Sequence, residues 1–219
     1  MTLSANQIFM LVLCWLAYAV LHSLLAALGF KRWFLTRWPA LGPAYRVAFN
    51  VLAVILLIPP LWLTVSWSGA LLWAWSGAWA WLANGLALAA VAGFVWSTRY
   101  YDMAVFSGRA QWLSRHRAAE DPGGLRLSPL HRYVRHPWYS LGLLMLWTRD
   151  MDEARLISTL CITLYLWLGS LLEERKLLAF HGAAYARYRK RVAGLVPLPG
   201  HILSAREAQA LCQAPPRAD

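Results

Sequence analysis

The chain has 219 residues, of which 59% are hydrophobic and only 14% charged, whereas a soluble domain carries roughly 25% charged residues. With 14 Trp and a formal charge of +11, it is neither a disordered chain nor an ordinary soluble enzyme. The basic surplus would suggest nucleic acid in a soluble chain; in a membrane protein, basic loops on one face explain it without a nucleic-acid partner.

A spanning helix needs about 20 mostly apolar residues. The first such run is Ile8 to Phe30. It is not read as a signal peptide, because no basic residue precedes it and its apolar part is too long. The second run is Tyr45 to Trp67 and the third Trp79 to Trp96. The fourth, Trp138 to Trp147, is short, and the fifth is Leu156 to Leu172. Between the second and third lies Ser68 to Ala78, apolar but interrupted by Gly69 and Gly77. This stretch is read as a re-entrant or an interfacial segment, and Trp67, Trp73, Trp75 and Trp79 around it favour an interfacial aromatic belt.

Basic residues alternate from loop to loop. The first loop holds Lys31, Arg32, Arg37 and Arg46, and the loop around residue 70 holds none. The third holds Arg99, Arg109, Arg115, Arg117, Arg126, Arg132 and Arg135. The fourth holds Arg149 and Arg155, outnumbered by Asp150, Asp152 and Glu153. All the others follow the last run. The positive-inside rule then places the first and third loops and the C-terminus in the cytoplasm, with the N-terminus outside. The expected fold is an all-α polytopic bundle of five transmembrane helices. It forms a single membrane domain over residues 1–219, with a three-helix part (1–124), a C-terminal part (125–199) and a flexible tail (200–219), disordered from Gln213 to Asp219.

Three cysteines, Cys14, Cys161 and Cys212, are too few for a disulfide framework and read as free thiols. No CxxC or HExxH occurs, so no metal site is expected.

The short fourth helix indicates where chemistry can sit. Pro137 to Trp147 spans roughly 16 Å against a hydrocarbon core of about 30 Å. If its outer end is level with its neighbours, its inner end starts below the cytoplasmic surface. Pro137 suits the first helical position and pushes His136 out of helical geometry. The N–H groups of Trp138 and Tyr139 then lack intrahelical acceptors and, with Arg135 and His136 beside them, form a sunken anion site. The fifth helix is expected to continue past Leu172 to a stop at Gly182, which puts Glu173 and Glu174 where it leaves the membrane. Adjacent carboxylates there are costly unless paired. They either bind a ligand's hydroxyls or cation, or pair with Arg175, Lys176 or loop arginines. Tyr185 and Tyr188 then share one helical face, either toward a ligand or on a basic amphipathic helix lying on anionic lipid.

These residues resemble a known group. Arg132-Tyr133-Val134-Arg135-His136-Pro137-Trp138-Tyr139 is similar to the RYVRHPxY block of the isoprenylcysteine carboxyl methyltransferase family. Glu173-Glu174-Arg175-Lys176-Leu177 resembles its EExxL block. Phe180, Gly182, Tyr185, Tyr188, Val192 and Pro197 resemble its closing pattern, with His181 inserted. The likeness covers about residues 125 to 199. It implies an integral membrane methyltransferase using S-adenosylmethionine, with His136, Pro137, Tyr139, Glu173, Glu174 and Tyr188 contacting that cofactor and Arg135 beside the reaction. Two departures stand out: Pro129 and His131 replace the usual Gly and Tyr, and Gly142 falls one position late.

The front half resembles the bacterial methanethiol S-methyltransferase and NnrU-like branch, through His22-Ser23-Leu24-Leu25-Ala26, Tyr45-Arg46, Asn50, Tyr101-Asp102, Phe106, Gly108 and Gln111. That implies a multi-pass protein of the bacterial cytoplasmic membrane, methylating a small or lipophilic thiol. Arginines near the site would favour the thiolate. His22 either acts as a base beside the thiol or bonds a neighbouring helix, as at Asn50. Three rivals remain: a methyltransferase of a prenylcysteine or phospholipid amine, a sterol-reductase-like enzyme sharing the RHP block, and a non-enzymatic NnrU-like factor in nitrogen-oxide metabolism.

Overall fold

The computed structural model describes residues 2–115 and 125–213. One compact unit takes in the described residues up to Ala80, those from Tyr101 to Arg115, and Arg149–Ile162. A second takes in Trp81–Tyr100, Leu125–Thr148 and those from Thr163 onward.

In the first unit, α1 (Ala5–Ala26) opens on a capping box. The Ser4 hydroxyl accepts from the Gln7 N–H, and the Gln7 side chain accepts from the Ser4 N–H. The first apolar run was expected to stay helical to Phe30. Instead the backbone extends at Ala27 (φ −69°, ψ 133°) and restarts as α2 (Leu28–Arg37). The break separates the apolar run from Lys31, Arg32 and Arg37, which a hydrocarbon core would exclude. Next, α3 (Tyr45–Trp67) has the expected limits and contains Pro59 and Pro60. Near them Thr64 Oγ1 donates to the Pro60 carbonyl (2.7 Å) and lies 2.6 Å from Ser158 Oγ, which accepts from Trp15 Nε1 (2.9 Å). This buried polar cluster ties the segments together where apolar contact with lipid gives little preference. Leu3, Leu11, Trp15 and Ala154 form the apolar core beside it.

The stretch expected as an aromatic belt forms a strand, β1 (Leu71–Trp73), antiparallel to β2 (Met151–Asp152). Trp75 N donates to Asp150 Oδ1 (2.9 Å), and Glu153 Oε2 accepts from Leu3 N (2.6 Å). Pairing supplies backbone partners that composition alone does not reveal. Trp73 and Trp75 stay partly exposed and Trp79 is exposed.

At the other end of α3 lie α5 (Met103–Ser107) and α6 (Arg109–Ser114). Asp102 caps α5, accepting from Ala104 N and Val105 N, both at 3.0 Å. Arg46 Nε donates to the Phe106 carbonyl (3.1 Å), and Asn50 Nδ2 to the carbonyls of Phe106 (3.2 Å) and Ser107 (3.0 Å). Gly108 joins α5 to α6 at φ +88°, where a Cβ would stand 2.8 Å from both Arg46 Cβ and Val47 N. Only glycine satisfies both conditions.

The second unit holds most of α4 (Gly77–Ser97), all of α7 (Pro137–Trp147), most of α8 (Glu153–Arg191) and α9 (Ala205–Gln213). Trp138 of α7 donates from Nε1 to Ser97 Oγ (2.8 Å), and its ring lies 5.0 Å from that of Phe94. The expected stop at Gly182 is a break with φ +50° and ψ −124°, after which helix resumes to Arg191. Tyr185, Tyr188, Val192, Leu203 and Ala208 form one apolar core. The stretch from residue 200, expected as a flexible tail, thus carries α9 and two buried side chains. Of the stretch expected to be disordered, residues 214–219 lie outside the described residues, as does Arg117.

Among the described residues, four helices are long and apolar enough to cross a membrane: Ala5–Ala26, Tyr45–Trp67, Gly77–Tyr100 and Glu153–Arg191. They present large apolar side chains outward, among them Val65, Trp81 and Leu88.

Candidate active site

In the second unit, the RHP block is built from its backbone upward. A 3₁₀ turn over Pro129–Arg132 is closed by a capping box in which Ser128 N donates to His131 Nδ1 (3.1 Å) and the Ser128 hydroxyl lies 2.8 Å from that nitrogen. Pro129 and His131, the departures from the family pattern, are the residues that make this turn. Burial, reinforced by nearby His136 and opposed by Glu173, holds His131 down to about 4. Val134 then pairs in parallel with Ala193, and Arg135 N donates to the carbonyls of Ala193 (2.8 Å) and Gly194 (3.0 Å). The chain that follows α8 therefore anchors the start of α7.

Pro137 takes the first position of α7, with His136 as its non-helical N-cap (φ −123°, ψ 71°). This is the arrangement expected from the Pro137 spacing. His136 is buried, with Nε2 3.1 Å from Glu174 Oε1 and Nδ1 3.4 Å from Glu173 Oε2. A neutral imidazole donates to one of these carboxylates and an imidazolium to both. The Tyr139 ring stacks on that of His136 (centroids 5.5 Å apart, planes 10° apart), and its hydroxyl faces Glu173.

The two glutamates divide their work. Glu174 is 4% exposed, and its Oε1 also accepts from Arg135 Nε at 2.8 Å. Arg135 Nη1 donates to the carbonyls of Arg189 and Val192, the last turn of α8, where a cation is favoured. Expected beside the reacting atoms, Arg135 here bolts Glu174 to the end of α8. Glu173 has a 48% exposed side chain and is the carboxylate open to a ligand.

The tyrosines also divide. Tyr188 is buried and its hydroxyl donates to the His131 carbonyl (2.8 Å). Tyr185, whose ring meets Tyr188 edge-on at 5.7 Å, has a buried hydroxyl with no hydrogen-bond partner among the described residues, near Glu174 and Arg135. The shared-face spacing brings both to one core, but it does not tell which hydroxyl is occupied. The sequence pattern leaves Tyr185 open between a ligand and a lipid-lying helix, and the resemblance carries over only Tyr188 as a cofactor contact.

His22 belongs to the first unit. Its ring lies 5.5 Å from Tyr18 and 5.0 Å from Phe49, while the Asn50 amide donates to Phe106 and Ser107.

An open carboxylate, a stacked His–Tyr pair, a buried tyrosine hydroxyl and a helix N-terminus together suit a ligand carrying both cationic and anionic groups. Helices of membrane-crossing length mark the chain as a multi-pass membrane protein, and its relatives are named as methyltransferases. The chain belongs to the methanethiol S-methyltransferase family. It is 32% identical to methanethiol S-methyltransferase 2 of Bradyrhizobium diazoefficiens, over 82% of this chain and 69% of that protein. It is 31% identical to methanethiol S-methyltransferase of Pseudomonas deceptionensis, with the same coverage. The Mycobacterium tuberculosis methanethiol S-methyltransferase is 30% identical over 83% of this chain and 75% of its own length. No family model and no solved structure matches the chain.

Proposed function

We propose that the protein transfers a methyl group from S-adenosylmethionine to methanethiol or a similar small thiol, within a bacterial cytoplasmic membrane. The observation that carries the reading is the meeting of His136, Tyr139, Glu173 and Glu174 at the start of α7. The unpartnered Tyr185 hydroxyl beside them supports a ligand-binding role, because a buried hydroxyl left without a partner is costly. Bound there, the cofactor supplies a methyl group on an electron-poor sulfonium. Glu173 would receive its ammonium or ribose hydroxyls, and the N-terminal amides of α7 would receive its carboxylate. Glu174 and Arg135 position His136, and Pro137 sets the helix start. Tyr188 supports the floor through His131. The residues thus orient the donor and exclude water, which is most of what an already activated methyl group requires. His22 is assigned to the acceptor side, taking the thiol proton on a ring nitrogen.

The membrane reading has five spans, with α7 as the short fourth, the N-terminus outside and the C-terminus in the cytoplasm. Contacts within each unit support it. Leu3, Ala70 and Glu153 meet, as do β1 and β2, so the N-terminus and the second and fourth loops share one end. Arg46 and Asn50 meet Phe106, and Arg132 Nε donates to the Leu203 carbonyl at 2.9 Å. Within the first unit the first loop thus meets Phe106, and within the second unit Arg132 meets the C-terminal stretch; each contact agrees with the basic-loop alternation.

The test is to incubate the purified full chain with S-adenosylmethionine and methanethiol and to measure dimethyl sulfide in the headspace. Product in the complete mixture alone is the expected result. Cofactor binding with no methylation of small thiols, but with methylation of a prenylcysteine or a lipid amine, would overturn the acceptor. Absence of cofactor binding would overturn the methyl donor.

A further inference from the structure

We propose that the first unit carries a binding site for an anionic phospholipid with a hydroxyl-bearing headgroup. Two cavities lie side by side there, sharing Leu25, Tyr45 and Phe49. The first, of about 170 Å³, is lined on one side by Leu28, Lys31 and Leu35, the i, i+3, i+7 face of α2. Tyr45, Arg46 and Gln111 add to its polar lining, and among the described residues no acidic side chain borders it. The second, of about 180 Å³, is almost wholly apolar, walled by Phe30 and Phe34 of α2 and Ala48 and Leu52 of α3.

Gln111 is the decisive group. It is 7% exposed, and its Nε2 donates to the Val105 carbonyl (3.2 Å), yet its buried Oε1 accepts from no group among the described residues. A buried acceptor of this kind requires a donor, and Gln111 lines the cavity that holds Lys31 and Arg46. The ligand must therefore bring an anion for the two cations and a donor for the amide oxygen. The adjoining cavity asks in addition for hydrocarbon. A phosphodiester with a headgroup hydroxyl and acyl chains has all three. Lys31 and Arg46 also belong to the basic first loop, which a cytoplasmic leaflet of anionic lipid would attract. Arg46 is anchored for this by its Nε bond to Phe106 and its stacking 5.7 Å over that ring.

The experiment uses the purified full chain in mild detergent, without cofactor or thiol, so that it is independent of the methyltransferase reading. Phosphatidylglycerol, phosphatidylmethanol (the same charge without the headgroup hydroxyl) and phosphatidylcholine of equal acyl length are offered in competition. Retained lipid is counted by native mass spectrometry. The expected order is phosphatidylglycerol first, then phosphatidylmethanol, then phosphatidylcholine. Lys31→Gln, a change at a partly exposed side chain, lowers retention of both anionic lipids about fivefold. Gln111→Leu erases the preference for phosphatidylglycerol over phosphatidylmethanol, about fivefold for one hydrogen bond, and keeps the preference for anionic lipid. Equal retention of all three lipids, or an unchanged preference in folded Lys31→Gln, overturns the site. Displacement of the lipid by an equal concentration of soluble glycerol phosphate overturns the lipid as its occupant.

Discussion

Arg135 Nε lies 2.8 Å from Glu174 Oε1, the oxygen that also faces His136 Nε2. A single buried carboxylate atom thus holds both the imidazole at the head of α7 and the cation that closes α8. Its neighbour in sequence, Glu173, is left half open to solvent.

The glutamates should therefore respond differently to the same substitution. Glu174→Gln removes one partner of a buried pair and should cost about 3 kcal/mol of stability, read as a lowered unfolding midpoint in detergent. Glu173→Gln should leave that midpoint nearly unchanged. It should weaken S-adenosylmethionine binding about tenfold, the worth of a hydrogen bond to a charged group, as measured by calorimetry. A large stability loss in Glu173→Gln with unaltered affinity would reverse these assignments.

The tyrosines give a second contrast. Tyr188→Phe strands the His131 carbonyl and should cost about 1 kcal/mol. Tyr185→Phe deletes a hydroxyl that has no partner among the described residues, so the empty protein should be as stable or more stable. Cofactor affinity should then fall about fivefold if that hydroxyl serves the ligand. Unchanged affinity in Tyr185→Phe would remove Tyr185 from the site.

His131 predicts an acid-sensitive turn. Its folded value near 4 lies below the ordinary 6.5, so the unfolded chain binds more protons between these values. Its contribution is complete above about pH 6.5 and fades as pH falls toward 4, by up to about 3 kcal/mol. Comparing unfolding midpoints of wild type and His131→Gln at pH 7 and pH 5 checks this. The wild type should lose more on acidification, and parallel losses would show that other groups dominate.

Topology is tested by reporter fusions after Ala5 and after Gln213. The N-terminal reporter should be active outside and the C-terminal one inside. Both on one side would exclude five crossings.

Gly108→Ala should destabilise the first unit by about 2 kcal/mol or more, because the position combines φ +88° with backbone and side-chain atoms 2.8 Å from a Cβ. A midpoint equal to wild type would show that the α5–α6 turn relaxes freely.

Linear patterns were enough for features that depend on local chemistry. The limits of α3, the proline start of α7 and the break at Gly182 were legible because apolar run length, a missing N–H and a positive φ act within a few residues. The alternation of basic loops was legible for the same reason, since charge is excluded from hydrocarbon one segment at a time. That His136, Glu173 and Glu174 come together is what the resemblance implies, and the tertiary structure decided which of them pair and which stay exposed. No local signal distinguishes adjacent glutamates or tyrosines three residues apart. Only packing against Arg135, His131 and the end of α8 buries Glu174, occupies the Tyr188 hydroxyl and leaves Glu173 and Tyr185 without such ties. The β1–β2 pair and the order in α9 likewise needed partners far away in sequence, because backbone pairing and burial are settled by which segments meet.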